Sequence, residues 1–101
     1  YNLENRRWDD VVDFTQRHHI AFIPWYPLAS GPEGFSNPVQ KMAKAHDASS
    51  AQIALAWLLQ RSDNILLIPG TKTLSHLEDN LKAINLKLSP EDVKTLAQLK
   101  V

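Results

Sequence analysis

Apolar residues at Trp8, Val11, Val12 and Phe14 alternate with Asp9, Asp13, Gln16 and Arg17 at helical spacing. This pattern predicts an amphipathic helix from Trp8 to about His18. The cationic group Arg17, His18 and His19 falls at its C-terminal end, where positive charge suits the helix dipole. Ile20–Trp25 (IAFIPW) is continuously apolar and short, as expected of a strand covered on both faces in a parallel sheet. Pro24 lacks an N–H, so regular pairing should fail near it. The stretch YPLASGPEGFSNP that follows is rich in proline, glycine and serine and reads as a loop. Asn37-Pro38 marks a helix start, with Asn37 as cap, running to about Ala45. Ser49–Gln52 (SSAQ) has the form of a capping box. It opens Ile53–Gln60, a run apolar on nearly every side that must be buried over most of its surface. Ile65–Ile68 (ILLI) is a second short apolar strand, closed by Pro69-Gly70. A helix is expected from about Leu74 to Ala83. Ser89-Pro90-Glu91-Asp92 then caps a last helix to about Gln98.

The order is helix, strand, helix, helix, strand, helix, helix. Strands alternating with helices predict an α/β fold with parallel strands and covering helices. Two such strands cannot close a sheet, and both are apolar on both faces. The pattern therefore looks like one segment of a barrel or open sheet. The chain begins at Tyr1, and its only methionine is Met42. That also suggests a piece of a larger protein.

Composition narrows the function. The chain has 101 residues, formal net charge +0 and no cysteine. A neutral balance argues against nucleic acid or an anionic membrane as the main partner, because both need clustered positive charge. No run approaches the ~20 apolar residues that span a bilayer. Zero cysteines remove disulfides, thiolate metal sites and cysteine nucleophiles, and suit a reducing, cytoplasmic setting. The four histidines have no metal-ligand spacing, and no Ser–His–Asp or paired-carboxylate arrangement follows from the sequence.

In a parallel α/β fold, ligands bind where the strands end. Two segments occupy that place. In IPGTKTLSHLEDN, Gly70 permits a close backbone approach, Thr71 and Thr73 offer hydroxyls, and Lys72 offers a charge. With the free N–H groups of a helix start, these can form a phosphate site. His76, Asp79 and Asn80 are three and four apart and share a helix face. The same residues are also compatible with a plain helix after a tight turn, capped by Thr73. In WYPLASG, Trp25 and Tyr26 either stack on a flat ring or close the end of a core. Neither segment has the glycine spacing of a Walker or dinucleotide fingerprint.

Taken together, YNLENR, IAFIPWYPLASG, QIALAWLLQR and IPGTKTLSHLEDN resemble, in order and across the whole chain, the C-terminal part of the aldo/keto reductases. The resemblance implies the C-terminal portion of a (β/α)8 TIM barrel, an incomplete barrel. Residues 1–101 would supply the end of strand six, units seven and eight and the C-terminal helix. It implies NADP(H) as cofactor. Trp25 matches the aromatic residue that stacks on the nicotinamide. Leu28 and Ser30 match the loop along the pyrophosphate. Gly70, Thr71, Lys72 and Thr73 match the loop that holds the adenosine 2′-phosphate. Asp79 and Asn80 match the pair at the adenine. Two positions depart from the family pattern: Gly70 replaces a common lysine, and His76 stands where many members have arginine. Lys72 is then the cation left to hold the phosphate.

The family reduces aldehydes and ketones with a tyrosine acid helped by lysine, aspartate and histidine. Those residues lie in the family's N-terminal half, and nothing here matches them; Tyr1 and Tyr26 are not that tyrosine by position. The chain alone is therefore expected to be inactive, with no catalytic residue and no metal. A small carbonyl compound is the expected substrate of the full-length protein. Two rival expectations are a non-catalytic nucleotide-binding regulatory subunit of the same fold, and a non-functional half-barrel that self-associates through exposed strand edges.

Overall fold

Ser49 and Gln52 satisfy each other reciprocally. The Gln52 backbone N–H donates to the Ser49 hydroxyl at 3.1 Å, and the Ser49 N–H donates to Gln52 Oε1 at 2.9 Å. This box starts the helix Ser50–Arg61, the hub of the computed structural model, which describes residues 1–28 and 34–99. Every residue from Ala51 to Leu58 is buried, as the all-round apolar pattern requires. Around it lie, in chain order, α1 (Asp9–Arg17), α2 (Asn37–Ala45), the hub α3 (Ser50–Arg61), α4 (Leu74–Lys82) with a 3₁₀ turn at Ala83–Asn85, and α5 (Pro90–Ala97). Helix α2, helix α4 and the 3₁₀ turn all pack on α3, and α5 packs on α2. The core gathers Leu3, Val12, Val39, Met42, Ile53, Trp57, Leu58, Ile65, Leu88 and Leu96.

The two apolar stretches expected as strands lie side by side and in parallel. Phe22 bridges Ile65. The Phe22 N–H donates to the Asn64 carbonyl and the Leu66 N–H to the Phe22 carbonyl, both at 2.9 Å. Among the described residues this bridge is all the pairing they make, and no regular strand forms. The reason is physical. Each stretch has one neighbour, Pro24 removes a donor, and a regular strand needs its partner along its length. One side of the pair stays bare: Ile20, Ile23, Leu66 and Ile68 are 47 to 56% exposed.

Three further expectations are corrected. Helix α1 buries Val12 and Thr15, whereas Trp8, Val11 and Phe14 are exposed. Helix α2 is preceded by Ser36 at the cap position, not Asn37, and its side chain makes no capping bond. Thr73 stands at the cap of α4 but likewise makes no side-chain capping bond. Residue type located these starts; the hydroxyl orientations did not follow.

Polar clamps fix the outer helices. Arg61, at the end of α3, reaches α1 at Asp13 (2.9 Å) and Asp9 (3.2 Å). The Tyr1 hydroxyl donates to the same Asp9, and its ring stacks on Trp57 at 6.0 Å. At the start of α5 a second capping box pairs Ser89 with Asp92. Asp92 Oδ2 also meets His46 Nε2 at 2.8 Å, joining the end of α2 to α5. The Ser89 backbone N–H, and after it His46, hold the Asp92 carboxyl below its ordinary value. A depressed carboxyl stabilises the fold above its unfolded value of about 3.9 and loses that contribution as pH falls through the folded value. Asp92→Asn should therefore lower stability by about 1 kcal/mol at pH 7. It should also flatten the stability curve below about pH 4, both read by urea unfolding across pH.

Candidate functional site

The parallel bridge decides which loops meet. Phe22 is level with Ile65, so the chain leaves both stretches at the same end. Leu28, six residues past Phe22, then lines the same cleft as Gly70 and Thr71, five and six residues past Ile65. The cleft holds about 200 Å³ and is completed by Ser49, Ala51, His76, Asp79 and Asn80.

Each wall has a local cause. Helix α4 presents His76, Asp79 and Asn80 from one face because they are three and four residues apart. The α3 start supplies Ser49 and Ala51. Gln52, whose backbone and Oε1 complete the capping box, also donates from Nε2 to the Asp79 carbonyl at 2.8 Å. One buried amide thus fixes the start of α3 and holds α4 across the cleft. Asp79 Oδ1 lies 3.9 Å from Lys82 Nζ on the solvent side.

The start of α4 is open. The Thr71 hydroxyl takes the Thr73 N–H at 3.1 Å and leans on the Thr73 carbonyl at 3.3 Å. The first-turn N–H groups of Leu74, Ser75 and His76 find no acceptor among the described residues. Such a set carries partial positive charge and is suited to an anion. Gly70 is not forced by a left-handed backbone, and a Cβ there would meet nothing within 4 Å. Its consequence is room: the cleft is wider at this position than any side chain would leave it.

Lys72, Thr73 and Trp25 are not part of the cleft lining. Lys72 and Thr73 are exposed in the loop between Thr71 and α4. Trp25 is 76% exposed at the end of the Ile20–Trp25 stretch, with its ring 5.4 Å from that of Tyr26. Tyr26 has φ 55°, in the left-handed region. Such a residue costs about 1 kcal/mol or more and persists only where neighbours hold it; here Asn2 Nδ2 donates to the Tyr26 carbonyl at 2.9 Å. Ser30 lies outside the described residues. Among the described residues no group of acidic, histidine or cysteine side chains could hold a metal.

Sequence reasoning missed Ser49 and Ala51 as cleft residues and Gln52 as the residue that ties α3 to α4 behind them. The capping-box pattern located them, yet nothing in it signalled that the Gln52 amide reaches α4. Gln52→Ala should therefore do more than weaken a cap. It is expected to lower stability by about 1–3 kcal/mol, and to increase amide hydrogen exchange along α4 more than along α5.

The cleft combines room at Gly70 with the paired polar tips of Asp79 and Asn80, beside the open N–H groups at the start of α4.

The family model described as the aldo/keto reductase family matches residues 35–101. Pyridoxine 4-dehydrogenase of Escherichia coli is 43% identical over 96 residues, covering 95% of this chain and 34% of that protein. An uncharacterised oxidoreductase of Schizosaccharomyces pombe is 47% identical over 92 residues, covering 90% of this chain and 30% of its own length. A crystal structure of an aldo/keto reductase from Klebsiella pneumoniae in complex with NADP and acetate superposes with a TM-score of 0.85 at 27% identity, covering 97% of this chain and 36% of that one. The chain thus spans about a third of the relatives it matches. By its sequence over most of its length and by its fold, it belongs to the aldo/keto reductase family.

Proposed function

We propose that this chain forms the nucleotide-holding third of an NADP(H)-dependent oxidoreductase that reduces aldehydes or ketones to alcohols. The observation that carries the reading is the convergence of Leu28, Gly70, Thr71, His76, Asp79 and Asn80 on one cleft at the shared end of the Phe22–Ile65 pair. The solved relative that carries NADP supports the choice of cofactor. In the parent protein, residues 1–101 would form the end of strand six, units seven and eight and the C-terminal helix of a (β/α)8 barrel. The bare apolar side at Ile20, Ile23, Leu66 and Ile68 is then the side that the other strands and their helices cover.

The proposed roles follow from position. The first-turn N–H groups of α4, with Thr71, Lys72 and Thr73, hold the 2′-phosphate, and the space at Gly70 admits it. His76 stands over the same group. Asp79 and Asn80 orient the adenine edge. Leu28, with Ser30 two residues on in sequence, guides the pyrophosphate, and the exposed face of Trp25 supports the nicotinamide ring. When bound, the cofactor supplies the hydride that reduces the carbonyl carbon. Tyr1 is pinned to Asp9 and packed on Trp57, which keeps it from acting as the acid, and Tyr26 does not match the family's catalytic tyrosine by position. Burial, with the Asp9 hydrogen bond, pushes the Tyr1 phenol up and keeps it protonated. General acid catalysis needs a proton donor beside the cofactor, so the acid must come from the rest of the parent chain. The absence of cysteine suits a cytoplasmic parent.

The same bare apolar side favours a second reading for the chain on its own, self-association along the Ile20–Ile23 and Leu66–Ile68 stretches. The purified chain should elute from size exclusion as a dimer or larger, and should not oxidise NADPH in the presence of an aldehyde. Turnover by the 101-residue chain would overturn the assignment of the acid to the missing portion. A strictly monomeric chain would remove the self-association reading.

A further inference from the structure

We infer that this chain is a preformed docking unit that joins the remaining two thirds of an aldo/keto reductase barrel without a covalent link, through bare apolar faces on α1, on the paired stretches and on α4. The inference rests on the barrel placement proposed above. The chain carries a core of its own, gathered around Val12, Val39, Ile53, Leu58 and Leu96. Its radius of gyration is 12.9 Å, close to the ~13 Å of a folded domain of about 100 residues. It is a folded body, not a tail that needs a partner to collapse.

Three faces of that body are nevertheless apolar and bare. One is the outer side of the paired stretches, at Ile20, Ile23, Leu66 and Ile68. The second is on α1, where Trp8, Val11 and Phe14 stand exposed beside the buried Val12 and Thr15. The third is on α4, which buries none of its residues. Its His76, Asp79 and Asn80 face the cleft. Leu74, Leu77 and Leu81, with Ile84 in the 3₁₀ turn, form a separate stripe that is 44 to 70% exposed. Their spacing of three, four and three is that of a seam that receives a second helix. Two turns of such a seam are too short to hold a helix alone, so its occupant must grip the other faces as well. Helix α1 runs into the first stretch and α4 follows the second. A bare helix beside a bare stretch at both ends is what two cuts through a ring of strands and covering helices leave. The solved Klebsiella relative overlays 97% of this chain on only 36% of its own length, so its fold continues beyond these faces. A second copy of this chain adds two more short stretches and leaves the ring open. With formal net charge +0, the docking is apolar rather than steered by charge.

The probe is the 43%-identical Escherichia coli relative with its matching third removed, co-expressed with the tagged 101-residue chain. A one-to-one complex should co-purify, and should survive salt near about 1 M, where surface charge is screened. The double variant Leu77→Glu, Leu81→Glu changes only exposed positions outside the cleft lining, so its circular dichroism should match wild type. It places two carboxylates in the seam, and its yield of complex should fall about tenfold or more. A second measurement uses the intact relative, refolded from urea with excess chain. The wild-type chain should compete for the barrel and lower the recovered activity, and the double variant should spare it. If the wild-type chain neither co-purifies nor competes, or pairs only with its own copies, the inference is overturned. It is overturned equally if the double variant acts like wild type. A complex that forms but binds no NADPH upholds the docking and removes the nucleotide reading.

Discussion

Two hydrogen bonds, from Phe22 to Asn64 and from Leu66 to Phe22, set the layout on which every functional statement depends. They fix two chain segments side by side and pointing the same way. Parallel pairing sends both exits to one end; the opposite sense would place Leu28 and Thr71 at opposite ends of the molecule. The pairing is minimal, one bridge, and it does not stand alone. The buried face of the pair rests on the core through Ile65 and Phe22, and Asn64 Nδ2 donates to the Ile20 carbonyl at 2.8 Å beside the bridge.

Helix α3 converts that layout into a cleft. Because it is buried on nearly all sides, it orders its neighbours from within rather than from an edge. Its cap sets positions near the site. Gln52 closes the Ser49 box and reaches the Asp79 carbonyl, so the register of α4 against α3 is set by one side chain. Arg61, at the far end, ties α1 to the same helix through Asp9 and Asp13. Packing supplies the bulk of the stability, and these polar clamps choose among the ways the helices could pack.

Most helices were legible in the sequence because their signals are local. The Ser49 and Ser89 boxes, Pro90 in the first turn, and the all-apolar run after Gln52 each state a helix within a few residues. The spacing of His76, Asp79 and Asn80 likewise placed three cleft residues on one face. Non-local contacts were not legible. Nothing near His46 announces Asp92, and nothing near Arg61 announces Asp13, because those pairs are made by how the helices meet. The strand expectation partly failed for a related reason. An apolar run states that a segment wants covering, but a ladder also needs its partner paired along its length, and Ile20–Trp25 and Ile65–Ile68 make one bridge among the described residues. The family likeness pointed to the nucleotide; the folded geometry shows which of the named residues share a wall.

The most direct test of the account follows backbone amide resonances of the chain while adenosine 2′,5′-bisphosphate is added. If the two exits build one nucleotide cleft, Leu28 and the segment Gly70–Thr73 should shift together with His76, Asp79 and Asn80, along a single saturation curve. Shifts confined to one exit, or clustered on the α1 side around Asp9 and Arg61, would contradict it.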